Sequence, residues 1–170
     1  MLKKSIELAE KIGERKRIST CYYCIGEIML DSGDTNKAMR YFNESLSIKK
    51  EIKDTIGTAS VYSCIGNAYN TLGIPDSSLY YFKQALLIRS LLKNKRHIAS
   101  SELSIGETLA KMGRYSEAEV ALKHAFSIFE KLDEETGMVM ANLLLADALN
   151  RQGNPKALEI ARQTLNRAEK

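Results

Sequence analysis

A 40-residue internal repeat is the feature of this sequence that most limits how the chain can fold. Pairs of an aliphatic and a small residue recur at this interval, as Ile25-Gly26, Ile65-Gly66, Ile105-Gly106 and Leu145-Ala146. Single glycines keep the same step, at Gly33, Gly73, Gly113 and Gly153. A fixed period of this length is typical of chains that stack similar supersecondary units. The 170-residue chain is therefore predicted to contain one unit repeated four times.

Apolar spacing inside each unit predicts two helices joined by a tight turn. In the first unit one apolar face follows the i, i+3, i+4, i+7 rule, through Ile18, Cys21, Tyr22, Ile25, Ile28 and Met29. Gly33 ends this helix. A second apolar face then follows, at Ala38, Met39, Phe42, Leu46 and Ile48. The predicted fold class is all-α, built from antiparallel helical hairpins.

The period also sets the unit boundaries, which we predict at 15–53, 54–93, 94–133 and 134–170. Residues 1–14 align, at a shift of 40, with the second helix of a unit. We expect them to complete a preceding, partial repeat, so the prediction is about nine helices in a single domain. Because the chain begins halfway through a repeat, we also expect it to be part of a longer protein.

Small residues and capping side chains agree with this arrangement. Gly26, Gly66 and Gly106 are predicted to lie where helices cross closely, since a Cβ there would push the helices apart. The second helices are predicted to use small residues for the same purpose, at Ala38, Ser78, Ala118 and Ala157. Helix N-termini are predicted at four capping motifs, which are Asp34-Thr35, Asp76-Ser77, Ser116 with Glu119, and Asn154 with Pro155.

Two short motifs recur within the units. Ile65-Gly66 with Tyr69 gives an L-G-x-x-Y stretch, and Ala38 with Phe42 gives an A-x-x-x-F stretch. In these motifs the chain resembles tetratricopeptide repeat proteins of the longer variety, such as kinesin light chains and many bacterial signalling proteins. The family's Trp is absent, and no proline closes a unit. The resemblance implies an α-α superhelix, the tetratricopeptide repeat solenoid, that acts as a binding scaffold.

The side of each first helix opposite its apolar stripe remains for solvent or for a ligand. Resemblance to the family implies that this side lines a concave groove, which holds extended or helical peptides. We call these positions the groove residues. They are Tyr23, Glu27 and Asp31 in the first unit, Ser63, Asn67, Asn70 and Thr71 in the second, Leu103, Glu107 and Lys111 in the third, and Leu143, Asp147, Asn150 and Arg151 in the fourth.

One row of groove residues is polar in every unit, and its members are Glu27, Asn67, Glu107 and Asp147. Three of them are acidic, and an asparagine amide both donates and accepts hydrogen bonds. We expect the partner to be a protein or peptide segment with basic or backbone-donor character, rather than an acidic tail. The alternative is that these acids and amides are only solvated.

Cysteine and histidine patterns do not predict a catalytic or metal site. Cys21 and Cys24 have C-x-x-C spacing, but they lie inside a predicted helix, and no further ligand follows at metal-binding spacing. We expect them and Cys64 to be buried packing residues. His97 and His124 are expected at the surface, and no phosphate-binding glycine motif is present. No enzyme activity and no cofactor are predicted.

Charge patterning argues against nucleic-acid and membrane partners for this segment. Lys and Arg exceed Asp and Glu by 25 to 21, which gives a net charge of +4 with the two signs interleaved. The short basic clusters at 15–17 and 93–96 are interpreted as solvated. No apolar run approaches the roughly 18 residues that a bilayer crossing needs.

Two functions remain open from the sequence. The first is an interaction module, acting as the sensing or scaffolding region of a larger bacterial regulator. The second is a structural role, in which the helices space or dimerise attached DNA-binding or kinase domains, for instance as a homodimer. The compartment is also open between the cytoplasm, which is slightly favoured, and the periplasm.

Overall fold

The computed structural model describes residues 14–168, and every regular element in that range is a helix. The eight helices are α1 (Arg15–Asp31), α2 (Thr35–Glu51), α3 (Thr55–Thr71), α4 (Pro75–Leu91), α5 (Lys95–Lys111), α6 (Tyr115–Lys131), α7 (Glu135–Arg151) and α8 (Lys156–Ala168). The all-α prediction is confirmed. Of the additional helix predicted over 1–14, residues 1–13 lie outside the described residues, and Glu14 is the N-cap of α1. None of the described helices is long and apolar enough to cross a membrane.

The chain forms two compact units, each larger than one of the 40-residue repeats. We call them unit 1, which extends to Ile88, and unit 2, which begins at Arg89. In unit 1, α2 packs against both α1 and α3, around a core that includes Phe42 and Ile65. In unit 2, α5, α6, α7 and α8 pack in sequence, and one core cluster includes Phe129. Each unit therefore buries most of the apolar faces that the sequence pattern predicts, but Ile28, predicted on the buried face of α1, is 49% exposed.

Turns within the hairpins depend on glycine in the left-handed region. The φ angles are +84° at Gly33, +70° at Gly73, +75° at Gly113 and +74° at Gly153. The turns between hairpins use the same region with other residues, at Lys53, Lys93 and Asp133. A side chain with a Cβ adopts this conformation at some cost in energy. The glycines within the hairpins are therefore explained by glycine's freedom in this region, whereas the turns at Lys53, Lys93 and Asp133 were not recognised from the sequence.

Two of the predicted helix caps are confirmed. The Asp34 carboxylate accepts a hydrogen bond from the Lys37 backbone N–H at 3.1 Å. The Asn154 side-chain oxygen accepts from the Lys156 backbone N–H, also at 3.1 Å. Each satisfies one of the amides left unpaired at the start of its helix.

The other two predicted caps are wrong. Ser116 lies inside α6, whose N-cap is Arg114, and the Arg114 guanidinium instead pairs with Glu117 at 2.7 Å. Asp76 lies in the first turn of α4, because that helix already begins at Pro75. Proline fits the first helical position, since the N–H it lacks would be unpaired there anyway.

An unpredicted cap joins the second and third helices of unit 1. The Asp54 carboxylate accepts from the Gly57 backbone N–H at 2.9 Å and from Lys49 Nζ at 3.0 Å. Partial burial would raise the pKa of Asp54, but these two hydrogen bonds and the lysine charge hold it below its usual value. The Lys49 side chain is only 8% exposed, so this ion pair is well shielded from water.

Close helix crossings at the first glycine ladder are confirmed. A Cβ at Gly26 would lie 2.5 Å from a ring carbon of Phe42, and one at Gly66 would lie 2.7 Å from Phe82. At Gly106 the nearest atom would be Leu122 Cγ, at 2.6 Å. The small residues predicted on the second helices are all buried, at Ala38, Ser78, Ala118 and Ala157.

Candidate functional site

An open pocket of about 450 Å³ lies between α1 and α3 in unit 1. Its lining includes three groove residues, Glu27, Asp31 and Asn67. The other lining residues are Cys24, Ile28, Leu30 and Cys64. The structure therefore brings together acids from one hairpin and an amide from the next, as the sequence predicts for the groove side, and adds an apolar wall. We call this the unit 1 pocket.

Tyr23 fixes the position of one of these acids. Its hydroxyl donates to Glu27 Oε1 at 2.7 Å and accepts from the Cys64 thiol at 3.5 Å. The Tyr23 ring is half-buried, with its centroid 6.3 Å from that of Phe42. Burial raises the pKa of Tyr23, and the hydrogen bonds to Cys64 and Glu27 raise it further. Tyr23 is thus a neutral donor that orients Glu27, and its half-buried ring packs against the core cluster of Phe42.

The acids of the unit 1 pocket have no cationic partner among the described residues. Within residues 14–168, neither Glu27 nor Asp31 forms an ion pair with a lysine or arginine. The pocket also influences Cys24, because burial and then the negative charge of Glu27 raise the pKa of that thiol. The pocket therefore has a negative electrostatic character that nothing in the described structure neutralises.

The remaining groove residues of unit 1 lie beside the pocket rather than in its lining. The Ser63 hydroxyl oxygen is buried and has no hydrogen-bond partner in the described part of the chain. Thr71 is exposed, and its hydroxyl donates to the Asn67 backbone oxygen at 3.1 Å. Asn70 is half-buried. Of the four groove residues on α3, only Asn67 lines the pocket.

Unit 2 presents its groove acids differently. Lys111 Nζ lies 2.7 Å from Glu107 Oε1, and Arg151 Nε lies 2.8 Å from Asp147 Oδ2. Both pairs join residues four apart on the same helix, a spacing that places their side chains next to each other. Each groove acid of unit 2 is therefore neutralised by the cation one turn further along.

Apolar groove residues in unit 2 have two different environments. Leu103 is half-buried and packs against the core cluster around Phe129. Leu143 is 50% exposed. A second open pocket, of about 290 Å³, lies between α7 and α8 and is lined by Ala146, Asp147, Asn150, Ala157, Leu158 and Ala161. Only Asp147 and Asn150 of the groove residues reach this pocket.

The cysteines are not the buried packing residues expected from the sequence. All three are free and half-buried, and Cys24 and Cys64 line the unit 1 pocket. Cys24, Glu27, Ile28 and Asp31 follow the i, i+3, i+4, i+7 spacing of one helix face. That spacing could have placed the thiol beside the acids. It was missed because the three cysteines were expected to be buried packing residues.

Both histidines and both basic clusters are exposed, as predicted. His124 Nδ1 lies 3.0 Å from Glu102 Oε1. Within the clusters, Arg15 pairs with Glu51, and Arg96 pairs with Glu134 at 2.9 Å. No group of three or more metal-binding side chains occurs within the described range.

Comparison with protein families and known sequences identifies the repeat. Two family models described as tetratricopeptide repeat match the chain, one over residues 57–131 and the other over residues 19–52. No curated protein sequence matches it significantly.

Solved structures share the fold over most of the chain. The apo form of RapI superposes with a TM-score of 0.83 at 21% identity, covering 89% of this chain and 56% of RapI. Aspartyl phosphate phosphatase F from Bacillus subtilis gives 0.90 at 18% identity, covering 99% and 44%. A Rap protein complexed with competence and sporulation factor gives 0.78 at 16% identity, covering 99% and 57%. This chain thus spans about half the length of these proteins, and the likeness is one of fold.

Proposed function

This chain is a tetratricopeptide repeat protein, and we propose that it is a binding scaffold that docks a protein or peptide segment on the groove side of its first helices. The observation that carries the proposal is the unit 1 pocket, where an amide and an apolar wall converge with two acids that pair with no cation of the described range. A few polar groups beside apolar surface are what peptide recognition requires, because the polar groups fix orientation while the apolar surface supplies binding energy.

The proposal extends to a sensing or scaffolding role in a larger bacterial regulator. One protein of this fold is a Rap protein complexed with competence and sporulation factor, which supports ligand capture by such a fold. This chain spans 57% of that protein. We therefore propose that the present helices bind the protein or peptide segment that the regulator senses. Any regulatory activity would be supplied by other segments.

Binding rather than catalysis is the role that suits the groups of the unit 1 pocket. The pKa of the Cys24 thiol is raised by burial and by Glu27, and a raised pKa disfavours the thiolate that a nucleophile needs. The phosphatase activity in the name of the protein of similar fold is not transferred to this chain, because 18% identity shows a shared fold and no more. We accordingly propose a scaffold without a catalytic step of its own.

Selection of displayed peptides on the immobilised chain tests the scaffold proposal. We expect the enriched peptides to lose binding when Asp31→Lys or Asn67→Ala is introduced, since both side chains line the pocket. Glu44→Lys is the matched control, because Glu44 is an exposed acid on α2, away from the groove side. Peptides that bind all of these variants equally would show that the groove side is not the docking surface.

A structural role as a dimerising spacer is the second candidate, and two exposed apolar side chains on α4 favour it. Tyr80 is 58% exposed and Leu87 is 57% exposed, one above the other on the same helix face. Forty residues earlier, α2 has Arg40 and Ser47 at these positions. Light scattering tests this role: a dimer that dissociates in Tyr80→Arg with Leu87→Ser would support it, and a monomer in the unsubstituted chain would exclude it.

A further inference from the structure

We propose that the unit 1 pocket binds one arginine or lysine side chain of the docked segment, an inference that rests on the proposed function and specifies its ligand. The pocket combines two acids with an apolar wall, and this is the combination that a long cationic side chain complements. The aliphatic stem contacts the wall while the charged head reaches the carboxylates.

The apolar wall suits the stem of such a side chain. Ile28 lines the pocket and is 49% exposed, so about half of its surface is available to a ligand. Leu30 and the thiols of Cys24 and Cys64 complete the apolar lining. Removing this surface from water favours binding in proportion to the area covered.

Charge complementarity selects the head group. Glu27 and Asp31 form no ion pair within residues 14–168, and Tyr23 occupies only one oxygen of Glu27. Lys49, whose charge acts on Cys24, is held by Asp54 at 3.0 Å and does not line the pocket. A ligand cation therefore meets two carboxylates that no lysine or arginine of residues 14–168 already occupies.

Unit 2 does not offer the same binding site. Its groove acids Glu107 and Asp147 are already paired with Lys111 and Arg151 at 2.7 and 2.8 Å. A ligand cation would have to displace these side chains, which offsets the gain from the new ion pair. The basic side chain of the docked segment is consequently assigned to unit 1.

Asn67 provides a neutral contact next to the acids. Its side chain is exposed, lines the pocket and makes no hydrogen bond to another side chain or backbone group of the described residues. An amide can donate to one backbone group and accept from another. It is therefore suited to bind the peptide backbone beside the basic residue.

Titration of the full chain with N-acetyl-arginine methylamide, followed by nitrogen-15 NMR, tests the inference. We expect chemical-shift changes at residues 24–31 and at the Asn67 side-chain amide. N-acetyl-citrulline methylamide has nearly the same shape without the charge, and we expect it to cause none. Glu27→Gln and Asp31→Asn should each weaken arginine binding about tenfold, as expected for loss of a charge-assisted contact. Asp147→Asn is the matched control and should leave it unchanged.

Equal binding of the citrulline compound, or unchanged arginine binding in both pocket variants, would overturn the inference. The same spectra report whether each variant is folded. Selected peptides that depend on Asn67 but contain no basic residue would also overturn it, while leaving the proposed scaffold function intact. If the arginine compound binds the unsubstituted chain but not the Glu27→Gln and Asp31→Asn variants, the inference is supported even when peptide selection fails.

Discussion

Units 1 and 2 place acids at the same repeat positions but leave them in different electrostatic states. Glu27 in unit 1 is held by a neutral tyrosine hydroxyl, whereas Glu107 in unit 2 is paired with Lys111. The residue four positions further along decides the difference, and it is Asp31 in unit 1 and lysine in unit 2. A repeat therefore fixes where a side chain stands, while its neighbours decide whether its charge is available to a ligand.

The interiors of the two units differ in a parallel way. In unit 1 the crossing glycines face phenylalanine rings, as Gly66 faces Phe82. In unit 2 Gly106 faces the branched side chain of Leu122, whereas Gly137, near the start of α7, faces the ring of Phe129. At the crossings of Gly26, Gly66 and Gly106, rings therefore fill the space in unit 1 and a leucine fills it in unit 2.

The largest expected effect is the loss of a buried ring in unit 1. Phe82→Ala should lower the free energy of unfolding by about 3–5 kcal/mol, because it removes a side chain that is 1% exposed and leaves a cavity. Leu122→Ala in unit 2 is the matched substitution and should cost less. Urea unfolding, with hydrogen exchange to assign the loss to each unit, measures both, and a larger loss for Leu122→Ala would break the comparison of the interiors.

The next effect tests the crossing glycines themselves. Gly66→Ala should destabilise unit 1 by about 1–3 kcal/mol through overpacking against the Phe82 ring, even though alanine favours helix by roughly 1 kcal/mol. Gly106→Ala should cost less, since Leu122 can change rotamer more easily than a ring can move aside. Thermal unfolding gives both values. Combining Gly66→Ala with Phe82→Leu should recover part of the loss, and purely additive losses would contradict a direct clash.

A smaller effect is expected when unit 2 is made to resemble unit 1. Lys111→Met removes the cation that pairs with Glu107. The variant should therefore bind N-acetyl-arginine methylamide weakly near Glu107, with an affinity at that site about threefold higher than in the unsubstituted chain. The free energy of unfolding should change by less than about 0.5 kcal/mol, as is usual for an exposed pair. The NMR titration measures the affinity. No gain at Glu107 would mean that the paired cation is not what separates the two units.

The smallest effect is the pH dependence of Cys24, which reports the charge of the unit 1 pocket. Burial and the negative charge of Glu27 raise the pKa of this thiol, so its alkylation should reach half its maximal rate at a higher pH than a free cysteine does. Glu27→Gln should move that midpoint to lower pH, because the neutral amide no longer disfavours the thiolate. Iodoacetamide kinetics on a chain with Cys21→Ser and Cys64→Ser measure it, and an unchanged midpoint would contradict a negative pocket.

Much of the fold could be predicted because its signals are local and repeat four times. The crossing positions of Gly26, Gly66 and Gly106 followed from spacing alone, and the structure confirms each one. Caps were less predictable. Ser116 has the right motif, but α6 starts one residue earlier in the chain, where Arg114 pairs with Glu117.

The candidate site was predictable only in part. Spacing placed Glu27, Asp31 and Asn67 on the groove side, and all three line the unit 1 pocket. Spacing did not reveal that Tyr23 turns its hydroxyl towards Glu27, because that contact depends on the side-chain rotamers and on Cys64 from the neighbouring hairpin. Whether a basic residue binds there stays a prediction.

The sequence by itself determined the helices, the hairpin turns and the small residues at the crossings, because backbone conformation and helix periodicity are set by neighbours along the chain. Only the tertiary structure decided which thiols reach the pocket and which groove acids pair with a cation of the described helices. Those outcomes depend on distances between side chains of different helices. A 40-residue repeat does not fix such distances, because they depend on which side chains pack next to each other.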